Sequence, residues 1–205
     1  GMDQDFQYLS HCGVYLGMTV FNDTDKVPIY DPQKNEADYV SVKAHTVIID
    51  KSLLAENQEH RYRFTMGHEA SHEYLHKEFF AYDPNQITLF DYMENNSQPA
   101  MIQCRVDSKK MDIKDSKSWG DRDWMEWQAN ALSSAMLMPK SMVKVVVEER
   151  VRQQSGNCMM NYAIVDAVSS VFNVSYEAAT IRLKQLGYLR PEIQILNYAE
   201  NGRST

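Results

Sequence analysis

Cysteine is scarce: there are three in 205 residues, at positions 12, 104 and 158, with no Cys-x-x-Cys spacing. That excludes a disulfide-stapled scaffold and a thiolate zinc cluster, and it points to a reducing compartment. Long apolar runs are also missing, since no stretch approaches the roughly 20 residues needed to span a bilayer. Positive charge is in deficit, with 21 Lys and Arg against 28 Asp and Glu, so no global field attracts nucleic acid or an anionic membrane. No basic and apolar signal segment follows Gly1-Met2, and the leading glycine reads as a tag-cleavage scar. A cytoplasmic protein without membrane or nucleic-acid partners is the expectation. The length suits a single domain over residues 1–205 with a core of its own.

The N-terminal third carries most of the β signal. Residues 6–21 read as a short helix leading into a strand at Met18–Phe21. V-P-I-Y, D-Y-V-S-V-K and H-T-V-I-I-D then read as a small antiparallel meander, separated by turn formers such as Asp31-Pro32 and Asn35. Ser52 is a plausible helix N-cap before the polar link Glu56–Glu59. Between residues 81 and 123 regularity fades into two β-like runs, I-T-L-F and A-M-I-Q-C-R, and a charge-alternating loop. A second strong helix is expected from Trp124 to Met138, stopped by Pro139. Three more follow over Lys140–Gln154, Met159–Phe172 and the stretch after Ser175 that ends at Gly187. The working boundaries are a core of 14–139, a C-terminal helical subdomain of 140–190 and a tail of 191–205.

The chemistry concentrates in R-F-T-M-G-H-E-A-S-H-E-Y-L-H, residues 63–76, which holds a His-Glu-x-x-His core on an apparent helix. At about 100° per residue, His68 and His72 lie about 40° apart on one face, so both imidazoles can reach one ion. Glu69 comes next around the helix, where a carboxylate can take a proton from an activated water without being a ligand. Phe64, Ser71 and Leu75 flank this face, which is therefore expected to be buried.

The third ligand is expected 54 positions after His72, in E-W-Q-A-N-A-L-S-S-A-M-L-M-P. Glu126, Asn130, Ser133 and Leu137 share a stripe flanked by the small residues Ala129 and Ser134, which let this helix pack close to another. A carboxylate on such a face is expensive unless it is paired or binds a metal. The alternative is an ion pair with Arg63 or Arg105. Two imidazoles and one carboxylate suit one Zn²⁺ per chain with an open fourth position, a catalytic arrangement rather than a structural one. Asn130 is placed to accept the spare ring N–H of a ligand histidine. His76, Tyr74, Tyr82 and Arg105 are candidates to line the cleft or stabilise an oxyanion.

With these residues in place the chain resembles the ImmA/IrrE family of zinc metallo-endopeptidases. The resemblance rests on the two motifs just quoted and on F-N-V-S-Y-E-A-A-T-I-R-L-K-Q-L-G, together roughly residues 45–80 and 124–190. It implies the ligands His68, His72 and Glu126, the last being a gluzincin-like third ligand, with Glu69 as the catalytic carboxylate. It also implies an α+β fold: a zincin-like helical core, a small antiparallel N-terminal sheet and a C-terminal helical cap resembling helix-turn-helix. The substrate implied is a specific protein, of the kind of a helix-turn-helix transcriptional repressor in a bacterium. The long stretch 81–123 departs from the family pattern.

Two other readings compete. A DNA-binding regulator would use the helix-turn-helix spacing around Asn173–Ser175, but its recognition helix offers only Arg182 and Lys184, with Arg190 beyond. A non-catalytic zinc-containing interaction or antitoxin protein would need a closed coordination shell. Oligomeric state is not encoded in any feature of the sequence.

Overall fold

The computed structural model describes residues 1–81, 101–105, 118–153 and 161–189, with the side chains of 101–105 excepted. It is an α+β arrangement of two small sheets and, among the described residues, five α-helices. Strands β1 (Asp3–Gln7), β2 (Tyr15–Val20), β5 (Thr46–Asp50) and β6 (Met101–Arg105) form one sheet in the order β1-β5-β2-β6. Strands β3 (Thr24–Asp31) and β4 (Glu36–Val42) form a separate antiparallel ribbon.

Two expectations for this region are corrected. No helix occupies the first residues: Asp3–Gln7 is extended and pairs in parallel with β5. Pairing to a distant strand decides this segment, and a local apolar pattern cannot report such a partner. The expected meander is also divided. β3 and β4 pair only with each other, while β5 joins β1 and β2, its pairing with β1 parallel and with β2 antiparallel. The Asp31 and Asn35 turn is as read, with Asp31 Oδ1 accepting from the Gln33 and Lys34 amides and Asn35 at φ 56°.

Alternation along β2 and β5 gives the sheet two covered faces. Met18, Val20 and Ile48 point to the ribbon and pack with Val27, Ile29, Val40 and Val42. On the other face Val47 and Ile49 meet Tyr62 and Met66 of the helix that covers the sheet. All five residues of β5 are buried for this reason. After it, Asp50 rather than Ser52 acts as a cap, of a short 3-10 turn at Lys51–Leu54. Its carboxylate accepts from the Ser52 amide at 2.9 Å and from the Leu9 amide at 2.7 Å.

Helix α1 (Glu59–Phe80) lies against this sheet, and α2 (Asp121–Leu137) packs along α1. The two run antiparallel: Ser133 bonds the Phe64 carbonyl, Asn130 meets His68, and Gln128 meets His76. Close approach depends on small residues, because a Cβ on Gly67 would stand 2.7 Å from Ser133 Oγ.

Helices α3 (Lys140–Gln153), α4 (Asn161–Phe172) and α5 (Tyr176–Gln185) make their own core with Met138, around Val143, Ile164, Val168 and Leu183. The turn between α4 and α5 is built as the sequence implies. Asn173 at φ 49° ends α4, and Ser175 Oγ accepts from the Ala178 amide. Gly187, at φ 75°, closes α5 with Gly187 N–H to Lys184 and Tyr188 N–H to Leu183, a Schellman motif. Two arginines tie this unit down. Arg63 of α1 donates to the Phe172 and Asn173 carbonyls, and Arg182 of α5 donates to the Met138 carbonyl at 3.1 Å. The I-T-L-F run, the end of α3 near Gly156, the tail at 191–205 and most of the charge-alternating loop read over 107–123 lie outside the described residues. The end of that loop is corrected, because residues 121–123 form the first turn of α2, with Asp123 Oδ2 accepting from the Gly120 amide.

Candidate metal centre

Apart from Phe80 at its end, the fully buried side chains of α1 are polar: Thr65, His68, Glu69, Ser71, His72, Glu73 and His76. A helix that spends its inward face on such side chains gains little from hydrophobic burial, so each of them needs a partner. Leu75, expected at the edge of this face, is 42% exposed, while Ser71 is fully buried and back-bonds to the Gly67 carbonyl.

His68 and His72 turn their Nε2 atoms toward each other at 3.0 Å. Glu126, reaching in from α2, brings Oε2 to 3.2 Å from His68 Nε2 and Oε1 to 3.6 Å from His72 Nε2. One donor atom from each of the three lies within 4.8 Å of the others, the only such cluster among the described residues. Four ligands at about 2.1 Å in a tetrahedron stand about 3.4 Å apart. The observed spacing of 3.0, 3.2 and 3.6 Å fits that edge.

Hydrogen bonding on the far side of each ring sharpens the fit. His68 Nδ1 is 3.0 Å from Asn130 Oδ1. An amide oxygen only accepts, so the proton sits on Nδ1 and His68 Nε2 keeps a lone pair. Asn130 thus occupies the position expected for it, on the outer nitrogen of His68.

Burial and these contacts set the charges. Burial would push the Glu126 carboxyl up, but the His68 and His72 rings facing it outweigh that in the metal-free site and hold it down at about 2. Burial lowers the His72 pKa, favouring the neutral imidazole that a metal requires. Three electron-pair donors with one negative charge between them are a set that could hold a metal cation.

Glu69 is fully buried beside them, and its environment was not legible in the sequence. Thr19 of β2 donates to Glu69 Oε2 at 2.6 Å, while Oε1 has no hydrogen-bond partner. Oε1 is packed against Gly17, where a Cβ would come within 2.6 Å of it. Burial pushes the Glu69 carboxyl up to about 7, against the nearby His68 and the Thr19 hydrogen bond, which lower it. Gly17 lies inside β2, and a glycine within a strand marks a close approach of backbone to something else, but the strand expected from the sequence begins at Met18.

The remaining candidates divide. Tyr74 is 76% exposed, about 200° around α1 from His72. His76 is buried behind His72, with its ring nitrogens on His72 Nδ1 and Gln128 Oε1, instead of at a cleft wall. Tyr82 and the side chain of Arg105 lie outside the described residues. Arg63 does not pair with Glu126, being engaged at the end of α4. Glu73 points to the β4–β5 turn, where Oε1 meets His45 Nδ1 at 2.7 Å.

Comparison with known families bears on the same residues. Residues 106–184 match the family model Peptidase_M78, described as the IrrE N-terminal-like domain. The matched segment contains Glu126 and Asn130, while His68, Glu69 and His72 precede it. No curated protein matches the chain.

Proposed function

We propose that the chain, whose residues 106–184 match the Peptidase_M78 family model, is a zinc-dependent endopeptidase acting on a specific protein inside the cell. One observation carries this reading: three lone-pair donors on two helices converge at tetrahedral spacing beside a buried, half-satisfied carboxylate. His68, His72 and Glu126 would hold the ion. When bound there, Zn²⁺ supplies Lewis acidity to a peptide carbonyl and acidifies a water.

The rest of the chemistry belongs to the chain. Glu69, with a pKa near neutrality, takes a proton from the attacking water and passes it to the departing amide nitrogen. Thr19 holds one carboxylate oxygen and leaves Oε1 to do this work. Asn130 and the α1–α2 packing keep the donor rings in register, so little reorganisation is needed at the moment of reaction. The resemblance of the motifs suggests a helix-turn-helix repressor as the substrate. The three cysteines without disulfide spacing suit a cytoplasmic setting, and among the described residues no helix is long and apolar enough to cross a membrane.

Metal analysis of the purified protein tests the site. One equivalent of Zn²⁺ per chain is expected, lost in His68→Ala, His72→Ala and Glu126→Ala while far-ultraviolet circular dichroism is retained. A wild-type chain that takes up no divalent metal from a zinc-supplemented buffer overturns the reading.

A further inference from the structure

His76 is outside the candidate ligand set, yet it is 4% exposed and both of its ring nitrogens are engaged. Nε2 is 3.0 Å from Gln128 Oε1, and Nδ1 is 3.0 Å from His72 Nδ1. The amide oxygen accepts only, so His76 carries its proton on Nε2 and presents a lone pair at Nδ1. Two lone pairs do not attract, so the contact with His72 requires a proton on His72 Nδ1. His72 Nε2 is then bare, and it is this atom that faces His68 Nε2 and Glu126.

We propose that Gln128 and His76 form a positioning relay that fixes the tautomer and ring orientation of His72 for metal binding. The inference rests on the metal site proposed above. Ligand histidines ordinarily give their outer N–H to a carboxylate or carbonyl, and His68 does the equivalent directly with Asn130. For His72 an imidazole stands in for that acceptor, and an imidazole can also adopt the wrong tautomer. Gln128 removes the ambiguity.

The arrangement follows from helix geometry. His68, His72 and His76 recur every four residues, so the three rings line one face of α1 and successive pairs of rings touch, with centroids 4.6 and 5.0 Å apart. The antiparallel α2 supplies an amide oxygen at each end of the row, Asn130 at His68 and Gln128 at His76. Both ring–ring contacts then have defined roles: the Nδ1 contact is a hydrogen bond, and the Nε2 contact is the space an ion fills.

The test is Zn²⁺ affinity measured by competition with a chromophoric chelator, together with Co²⁺ absorption spectra, on the full chain and its variants. His76→Phe keeps an aromatic ring and removes the acceptor, and about 10- to 100-fold weaker Zn²⁺ binding is expected. Gln128→Leu should weaken binding several-fold and alter the Co²⁺ d–d bands, while Gln128→Glu, which keeps an acceptor oxygen, restores both. Melting of the metal-free proteins separates this from damage to the fold, because Gln128 is solvent-exposed and Gln128→Leu should still melt cooperatively, lowered only by the one hydrogen bond that His76 loses. If His76→Phe does not fold, the Gln128 pair decides. Wild-type Zn²⁺ binding with Gln128→Leu equal to wild type overturns the relay. Absence of metal binding by wild type overturns instead the site on which it rests.

Discussion

Thr19 of β2 donates its hydroxyl to the Glu69 carboxylate of α1 across 2.6 Å, so the proposed base is held from the sheet and not by its own helix alone. This bond favours the ionised form and lowers the Glu69 pKa against the effect of burial. Thr19→Val keeps the shape and removes the bond, worth about 1.5–3 kcal/mol to a charged acceptor. The acidic limb of the pH–rate profile should therefore move upward by about one unit, with metal content unchanged. A profile that coincides with wild type contradicts the assignment.

Stability of the metal-free protein should also follow Glu69. Its pKa rises from 4.5 to about 7 on folding, chiefly through burial. Between those values the folded chain holds a proton that the unfolded chain has released, so stability falls as pH rises through this window. For a shift from 4.5 to about 7 the loss is on the order of 3 kcal/mol above pH 7. Glu69→Gln should thus melt higher than wild type at pH 8 in the presence of chelator, with the difference closing towards pH 4.5. Glu126 acts in the opposite sense: its stabilisation is present above 4.5 and lost towards about 2. That contribution is common to both proteins and cancels.

Gly17 permits the close approach of α1 to β2. An added Cβ would meet Glu69 Oε1 at 2.6 Å, Glu69 Cγ at 2.7 Å and Thr65 Cγ2 at 2.8 Å. Gly17→Ala should destabilise the fold by about 1–3 kcal/mol through overpacking. It should also lower kcat more than zinc content, because the side chain displaced is the base and not a ligand. Thermal melts and metal analysis of the one variant check both effects.

The C-terminal helices should not bind DNA. Arg182, one of the two cations of the would-be recognition helix, is committed to the Met138 carbonyl, and partial burial lowers its pKa. Arg182→Ala is expected to cost about 1–2 kcal/mol of stability. In an electrophoretic shift assay at low salt, wild type should leave duplex DNA unshifted. A salt-sensitive shift abolished by Lys184→Ala would count against this.

What was legible in the sequence has a common physical basis. His68, His72, Glu126 and Asn130 sit on helices whose 3.6-residue period converts spacing into direction, so a shared face could be read from numbers alone. The caps at Ser175 and Gly187 are local for the same reason. β1 and the divided meander were hidden because strand pairing is decided by distant partners, 43 positions away for Asp3 with Thr46 and 26 for Val20 with Thr46. Thr19, Gly17 and Gln128 were hidden likewise, since each acts on α1 from another element. His76 carried a signal, its four-residue spacing from His72, but only the position of Gln128 shows which way its ring faces.

The central claim is peptide-bond hydrolysis dependent on Glu69, and the most direct measurement captures the partner and then cuts it. Glu69→Gln is used as bait in cells of the source, and the bound protein is incubated with zinc-loaded wild type and resolved by intact-mass spectrometry. Two fragments whose masses sum to the partner plus one water are expected, absent with Glu69→Gln and with chelator. A captured partner that stays intact with zinc-loaded wild type, or is cut equally by Glu69→Gln, contradicts the account.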